Sequence, residues 1–197
     1  MELIARLGAR KSLAELIVSA TESSAIAVPA DVQLILGQAG RGRQQNLGAA
    51  AASGDWLWFI HADSLLPGDA LERALAFVEN HDPVLGYCRL RFAPDGPGLT
   101  RLNAIGANLR SRWLGLPYGD QGLCLPRDWF HSLGGFREDL ARGEDLDFLV
   151  RARREGLKLR PINITMTTSS RRYREQGWLR TTIRHQIAAI RLIRQAR

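Results

Sequence analysis

The polar and apolar positions of this chain switch between two periods, and the switching predicts alternating strands and helices. Short apolar runs at 15–20 (ELIVSA) and 32–37 (VQLILG) fit strands buried on both faces, with the turn-rich TESSAIAVPA between them. Residues 40–54 predict an alanine-rich helix closed by Gly54, and 56–60 (WLWFI) predict a further strand. After Pro67 and Gly68 a helical pattern covers 69–81. Leu85, Tyr87 and Arg89 alternate within 83–92, the pattern of a half-exposed strand. A loop (APDGPG) leads to a helix over 99–115, then a short strand runs into a helix start within 119–130. Residues 143–156 form an amphipathic helix with Leu146, Leu149 and Val150 on one face and Gly156 at its C-terminal cap. Residues 157–170 read as a strand, and a final basic amphipathic helix covers about 177–195. There are no repeats and no linker. The expectation is one domain over 1–197, an α/β three-layer sandwich with a mostly parallel central sheet.

Ligands of open α/β sheets gather at the carboxyl ends of the strands. That rule turns attention to WLWFIHAD, where five large apolar residues run straight into His61-Ala62-Asp63. Two further acidic groups follow: Asp120-Gln121 between Gly119 and Gly122, and Glu144-Asp145 with Asp147 at a helix start. Acids in a first helical turn complement the helix dipole, which accounts for Glu144. It accounts less well for an adjacent pair, because neighbours on a helix point about 100° apart.

Charge sharpens the picture. The net charge is +7, yet residues 151–197 hold 13 Lys/Arg against Glu155 and Glu175, a net +11, leaving −4 for the rest. Such a basic end suits a phosphate-rich ligand, an anionic membrane face or a solvated helix surface. Nucleic acid is the poorest fit, since no aromatic stacking run or known module accompanies the charge. Cys88 and Cys124 form no CxxC and suggest neither disulfide nor zinc, which points to a reducing cytoplasm. No apolar stretch reaches the length of a membrane span, and the opening MELIARLGARK is too short in apolar residues for a signal peptide. In the last helix Leu179, Ile183, Ile187, Ile190 and Ile193 recur at three to four residues, with arginines between. That stripe either docks on the domain or lies on an anionic inner membrane face.

Taken in order, GRGRQQNLGAAAASG, FIHADSLLPGDAL, GDQGLCLPRDWFHSLGGF, GEDLDFLVRARREG and SSRRYRE resemble the family 2 glycosyltransferases of the GT-A fold. The pattern is similar to their selenodomain-associated transferase 2 subgroup, over about residues 40–182. The resemblance implies a metal-dependent inverting, hexosyltransferase-like enzyme that uses a nucleotide-diphospho-sugar donor. It places the HAD triplet at the family's DxD motif, with Asp63 as ligand to Mn²⁺ or Mg²⁺; His61 then serves the metal, a phosphate or a ribose. Asp145 matches the general base, with Glu144 beside it. Arg41, Arg43 and Asn46, and Arg171 and Arg172, match donor-binding positions, and Asp120 and Gln121 match the sugar or acceptor pocket. A lipid-linked acceptor would suit the basic last helix.

The first third departs from the family pattern. No strand resembling SVVIPxxNE precedes ELIVSA, and Ala20 stands where the base-binding Asp belongs, with Glu22 two residues out of register. The competing expectation is therefore a non-catalytic GT-A-like binding or scaffold protein that has lost recognition of the nucleotide base.

Overall fold

The computed structural model describes residues 3, 14–80 and 83–195, with the side chains of 185 and 188–195 left aside. The strands are β1 (Ile17–Thr21), β2 (Gln33–Gly37), β3 (Trp56–Trp58), β4 (Ser64–Leu65), β5 (Val84–Phe92), β6 (Cys124–Pro126) and β7 (Lys158–Thr168). The helices are α1 (Arg41–Ala51), α2 (Ala70–Glu79), α3 (Thr100–Leu109), α4 (Arg127–Ser132), α5 (Glu144–Arg154), α6 (Arg171–Gln176) and α7 (Trp178–Gln195). A π-helical turn (Arg110–Leu114) prolongs α3, and Gly119–Gln121 make one 3₁₀ turn.

β1 and β2 form a parallel pair. The main sheet has the order β3-β6-β5-β7-β4, with β3, β5 and β7 pointing one way and the two short strands β4 and β6 against them. Most strands thus share one direction, as the alternating pattern predicts. On one face Leu85, Leu125, Phe130, Phe148 and Leu149 pack with α1, α4 and α5; on the other Ile162, Ile164, Met166, Ala74 and Phe77 pack with α2. That gives three layers. Fully burying a side chain such as Phe130 or Phe148 stabilises by about 1.5–3 kcal/mol.

Two expectations change. β5 is not half-exposed: Val84 to Cys88 are buried because α4 and α5 cover one face of the strand and α2 the other, and alternation begins only at Arg89. The last helix, α7, covers Trp178–Gln195, close to the predicted range, and Gly177 (φ 81°) separates it from the short helix α6, which the sequence pattern does not predict. In the described part of the α7 stripe, Leu179, Ile183 and Ile187 face solvent instead of docking, and Thr181 is the buried residue among the described side chains of that helix. The outer part of that stripe, Ile190 and Ile193, lies outside the described side chains, as does the segment 4–13 outside the described residues. Gly156 ends α5 in the left-handed conformation (φ 84°), as its position in the sequence predicts. No helix among the described residues is long and apolar enough to cross a membrane.

Candidate active site

The carboxyl ends of β3, β5 and β7 open onto one cleft of about 580 Å³. From the β3 end come His61 and Asp63, from β5 Phe92, and from β7 Thr168, Ser169, Arg171 and Arg172. Helix α1 contributes Arg41 from its first residue, α5 contributes Asp145 from its first turn, and the 3₁₀ turn contributes Asp120. The acids come from a strand end, a helix start and a tight turn held by the core, so their positions are set by packed elements.

Asp145 is held from two sides. Its Oδ1 accepts from the N–H of Leu146 at 2.8 Å, and its Oδ2 accepts a short bond from the N–H of Gly119. Residue 119 has to be glycine here, since a Cβ would lie 2.9 Å from Asp145 Oδ2 and 3.2 Å from His61 Nε2. The positive end of α5 adds to the stabilisation of this carboxylate.

Glu144 is 1% exposed and pairs with Arg41 Nε at 2.9 Å, while the Arg41 side chain stays 51% exposed. Burial and the neighbouring Asp145 raise the Glu144 pKa, and Arg41 opposes the shift. The other arm of Arg41 donates from Nη2 to His61 Nε2 at 3.0 Å. That bond makes Nε2 the acceptor and leaves the proton on Nδ1. Burial, then Arg41, push the His61 pKa down, so the ring is neutral around pH 7. Asp120 has an Oδ1 that is buried with no hydrogen-bond partner. Burial, then repulsion from Asp145, raise its pKa to about 6.

Not every expected residue reaches the cleft. Gln121 is fully buried: Nε2 donates to Cys88 O at 3.0 Å, and Oε1 accepts from Ser111 Oγ at 2.7 Å. It locks the turn from behind instead of lining a pocket. Arg43 bonds Gln38 and Glu138, and Asn46 binds both the N–H and the C=O of Phe136. These two tie α1 to the loop before α5, and neither lines the cleft. Ala20 is buried at the end of β1, and Glu22 lies exposed outside the cleft.

Two cleft residues carry no site signal in the sequence, Arg142 and Arg184. Tyr118, beside the GDQ turn, and Tyr173, in the SSRRYRE segment, also line the cleft, and Arg110 stacks over the Tyr118 ring at 3.6 Å. Arg184 sits on α7, far along the chain from Asp63, and only tertiary packing brings them together. Asp95 supports the site from below. It accepts from Ser170 N at 2.7 Å and from the hydroxyls of Ser169 and Ser170, clamping the turn that delivers Arg171 and Arg172.

A divalent cation fits this site in one form only. Among the described residues no group of three or more His, Cys, Asp or Glu could hold a metal, and His61 Nε2 is taken by Arg41. What the chain offers is the exposed carboxylate of Asp63 at the cleft wall. Mg²⁺ and similar hard cations bind readily through one or two carboxylates plus substrate phosphates. Asp63 suits such a shared ion; His61, as placed, is a partner of Arg41 and not a ligand.

A cleft of arginines and carboxylates at the strand ends of a mostly parallel sheet defines an α/β domain with a site suited to an anionic ligand. Residues 29–137 match the family described as glycosyl transferase family 2, more than half of the chain, and the protein belongs to that family. No curated protein matches it in sequence. Among solved structures it is similar to residues 1–349 of TarS from S. aureus, with TM-score 0.62 and 14% identity over 86% of this chain and 56% of that one. The complex of the same TarS region with UDP-GlcNAc gives TM-score 0.65 and 16% identity, over 86% and 54%. The complex with UDP gives 0.63 and 16%, over 85% and 55%. The chain thus spans about half the length of these TarS chains, and at such identities the likeness is one of fold.

Proposed function

We propose that this protein is an inverting glycosyltransferase, moving a hexose from a nucleotide-diphospho-sugar to an acceptor hydroxyl. The observation that carries the reading is the convergence of Asp63, Asp120 and Asp145 with Arg41, Arg142, Arg171, Arg172 and Arg184 on one cleft. The arginines bind and neutralise the diphosphate; guanidinium forks match phosphate oxygens bidentately. Asp145, aimed by two backbone N–H groups, keeps a free lone pair on each oxygen for the proton of the attacking hydroxyl. As the hydroxyl oxygen bonds to the anomeric carbon, its proton passes to Asp145 and the bond to the diphosphate breaks on the opposite face. Glu144 acts through Arg41, holding the guanidinium at the cleft wall. Asp120, half-protonated near pH 6, meets hydroxyls of the transferred sugar or the acceptor. When bound by Asp63 and the phosphates, Mn²⁺ or Mg²⁺ supplies positive charge to the leaving group.

The same reading places the protein in the selenodomain-associated transferase 2 subgroup, on the cytoplasmic side of a membrane, with a lipid-linked acceptor. The order of the GRGRQQN, HAD, GDQ and SSRR segments supports the subgroup. One observation favours a second reading, a non-catalytic GT-A-like module: the end of β1 offers Ala20 and an outlying Glu22 where a base-binding acid would stand.

A thermal-shift panel of UDP, GDP, dTDP and CDP with Mn²⁺ or Mg²⁺, on wild type and Asp63→Ala, separates the two. A nucleotide at ten times its Kd stabilises by about 1.4 kcal/mol, roughly 3–6 °C for a domain of this size. A metal-dependent shift that disappears in Asp63→Ala supports the transferase. Silence with every nucleotide, at concentrations up to the millimolar range, sinks it in favour of the binding module.

A further inference from the structure

Helix α3 faces inward with small residues and outward with large apolar ones. Thr100, Ala104, Ala107 and Ser111 are buried, while Leu102, Ile105, Leu109 and Trp113 stand exposed at spacings of three, four and four. Those spacings form one continuous stripe along the helix and its π-helical turn. Trp113, 73% exposed, is the most solvent-exposed large apolar side chain among the described residues. Helix α7 lies beside it, joined through Asn103, which accepts from Trp178 Nε1 at 2.8 Å and donates to Thr182 Oγ1 at 2.9 Å. With Thr181 turned into the body, the outward side of α7 shows Leu179, Ile183 and Ile187. Two neighbouring helices therefore carry apolar stripes away from the core, an arrangement that marks an interaction surface.

Charge selects the partner. Arg101, Arg112, Arg180 and Arg184 are exposed on these two helices, and neither Thr100–Leu114 nor Trp178–Gln195 contains an Asp or Glu. A second copy seated symmetrically on this face would set arginines against arginines with no acid to pair them. A surface of anionic lipid accepts both features: acyl chains take the stripes, headgroups take the arginines, and an exposed Trp sits well at that boundary. We propose that the α3–α7 face docks this protein on an anionic bilayer surface. Arg184 of α7 also lines the cleft, so docking brings the cleft mouth to the headgroups. On the glycosyl-transfer reading, on which this last step rests, the acceptor hydroxyl is then presented by a lipid.

The test is flotation of the full chain with vesicles of phosphatidylcholine alone or containing about 30% phosphatidylglycerol, at low and high salt. Enrichment on the anionic vesicles at least tenfold over the neutral ones, weakened by salt, is expected. Trp113→Ser combined with Ile183→Ser should lower it at least tenfold, and Arg112→Gln or Arg180→Gln about fivefold each. The nucleotide-induced thermal shift is measured on the same samples and should survive all four substitutions. No enrichment on anionic vesicles overturns the proposal. So does enrichment that ignores the stripe substitutions, or a concentration-dependent dimer that Trp113→Ser dissolves while vesicles are ignored. Vesicle binding without any nucleotide shift leaves the docking face standing and removes the donor reading; a shift without vesicle binding does the reverse.

Discussion

Removing the Arg41 guanidinium tests the electrostatic frame of the cleft most directly. Glu144 is 1% exposed, and Arg41 lies 2.9 Å from its Oε1. Truncating one partner of a fully buried ion pair costs about 3–5 kcal/mol, because the other charge is left in low dielectric. Arg41 is itself half exposed, so water screens the pair and a cost of about 2 kcal/mol is the expected value for Arg41→Ala. For a domain of this size that lowers Tm by about 4–8 °C. The loss should depend on pH in a definite direction. The folded pKa of Glu144 is raised above its unfolded value, so folding favours the protonated carboxyl, and stability falls as pH rises through that interval. Without Arg41 the pKa rises further. The deficit should be full near pH 8 and shrink as the pH is lowered and the carboxyl takes up its proton. On a Glu144→Gln background no charge is stranded, and Arg41→Ala should cost no more than about 0.5 kcal/mol. Urea unfolding of the four proteins of this cycle, at several pH values, measures the coupling. An Arg41→Ala deficit that is flat with pH, or unchanged on the Gln background, refutes the reasoning.

Three other outcomes follow from the same geometry. Gly119→Ala forces a Cβ to within 2.9 Å of Asp145 Oδ2, so turnover should drop by about 10²-fold with the far-UV circular dichroism unchanged; activity within twofold of wild type would show that the aim of Asp145 is unimportant. The Asp95 carboxyl, held at about 2 first by the Ser169 and then the Ser170 hydroxyl, contributes stability that is full above the ordinary carboxylate range and lost as pH falls through about 2. Asp95→Asn should therefore flatten the acid limb of the unfolding curve and, at neutral pH, weaken UDP binding measured by calorimetry, because Arg171 and Arg172 follow that turn. Ionisation of Asp120 near pH 6 puts a second negative charge beside Asp145, so UDP affinity should fall as pH rises from about 5 to 7, and Asp120→Asn should remove that slope.

What could be read from the chain follows from which physical signal each residue leaves in sequence. Strand and helix periods are written by burial, so the alternation and the ends of β3 and α5 were legible, and with them Asp63, Glu144 and Asp145. The misreading of β5 has a local cause: Arg89 and Arg91 alternate only in its second half, while Val84 to Cys88 are covered on one face by the preceding helix α2 and on the other by α4 and α5, remote in sequence. Asp120 and Gln121 show a different limit. In a 3₁₀ turn successive side chains point about 120° apart, so one faces the cleft and the next faces Cys88 and Ser111. Nothing in the string GDQG says which one turns inward. Arg43 and Asn46 look like ligand-binding side chains at a helix start, yet their partners are Glu138 and Phe136, some 90 residues on.

The acids and arginines of the cleft divide along the same line. Asp120 and Asp145 sit on tightly held elements, as does Glu144 behind Arg41, while Asp63 stands exposed beyond β3; each leaves a sequence signal because an acid at a strand end, turn or helix start is locally conspicuous. The arginines arrive on exposed segments: α1's first residue, the loop before α5, the turn after β7 and the flank of α7. A diphosphate can be gathered by long, adaptable cations from several directions, whereas the proton of one hydroxyl must be met at one point. Catalysis therefore asks for precise acids, and binding tolerates mobile bases. Substitutions among the arginines should accordingly act in graded, roughly additive steps on donor affinity, while any change that moves Asp145 should act abruptly on turnover. A single arginine substitution that abolished turnover and left UDP binding intact would break this division and move that arginine to the reacting centre.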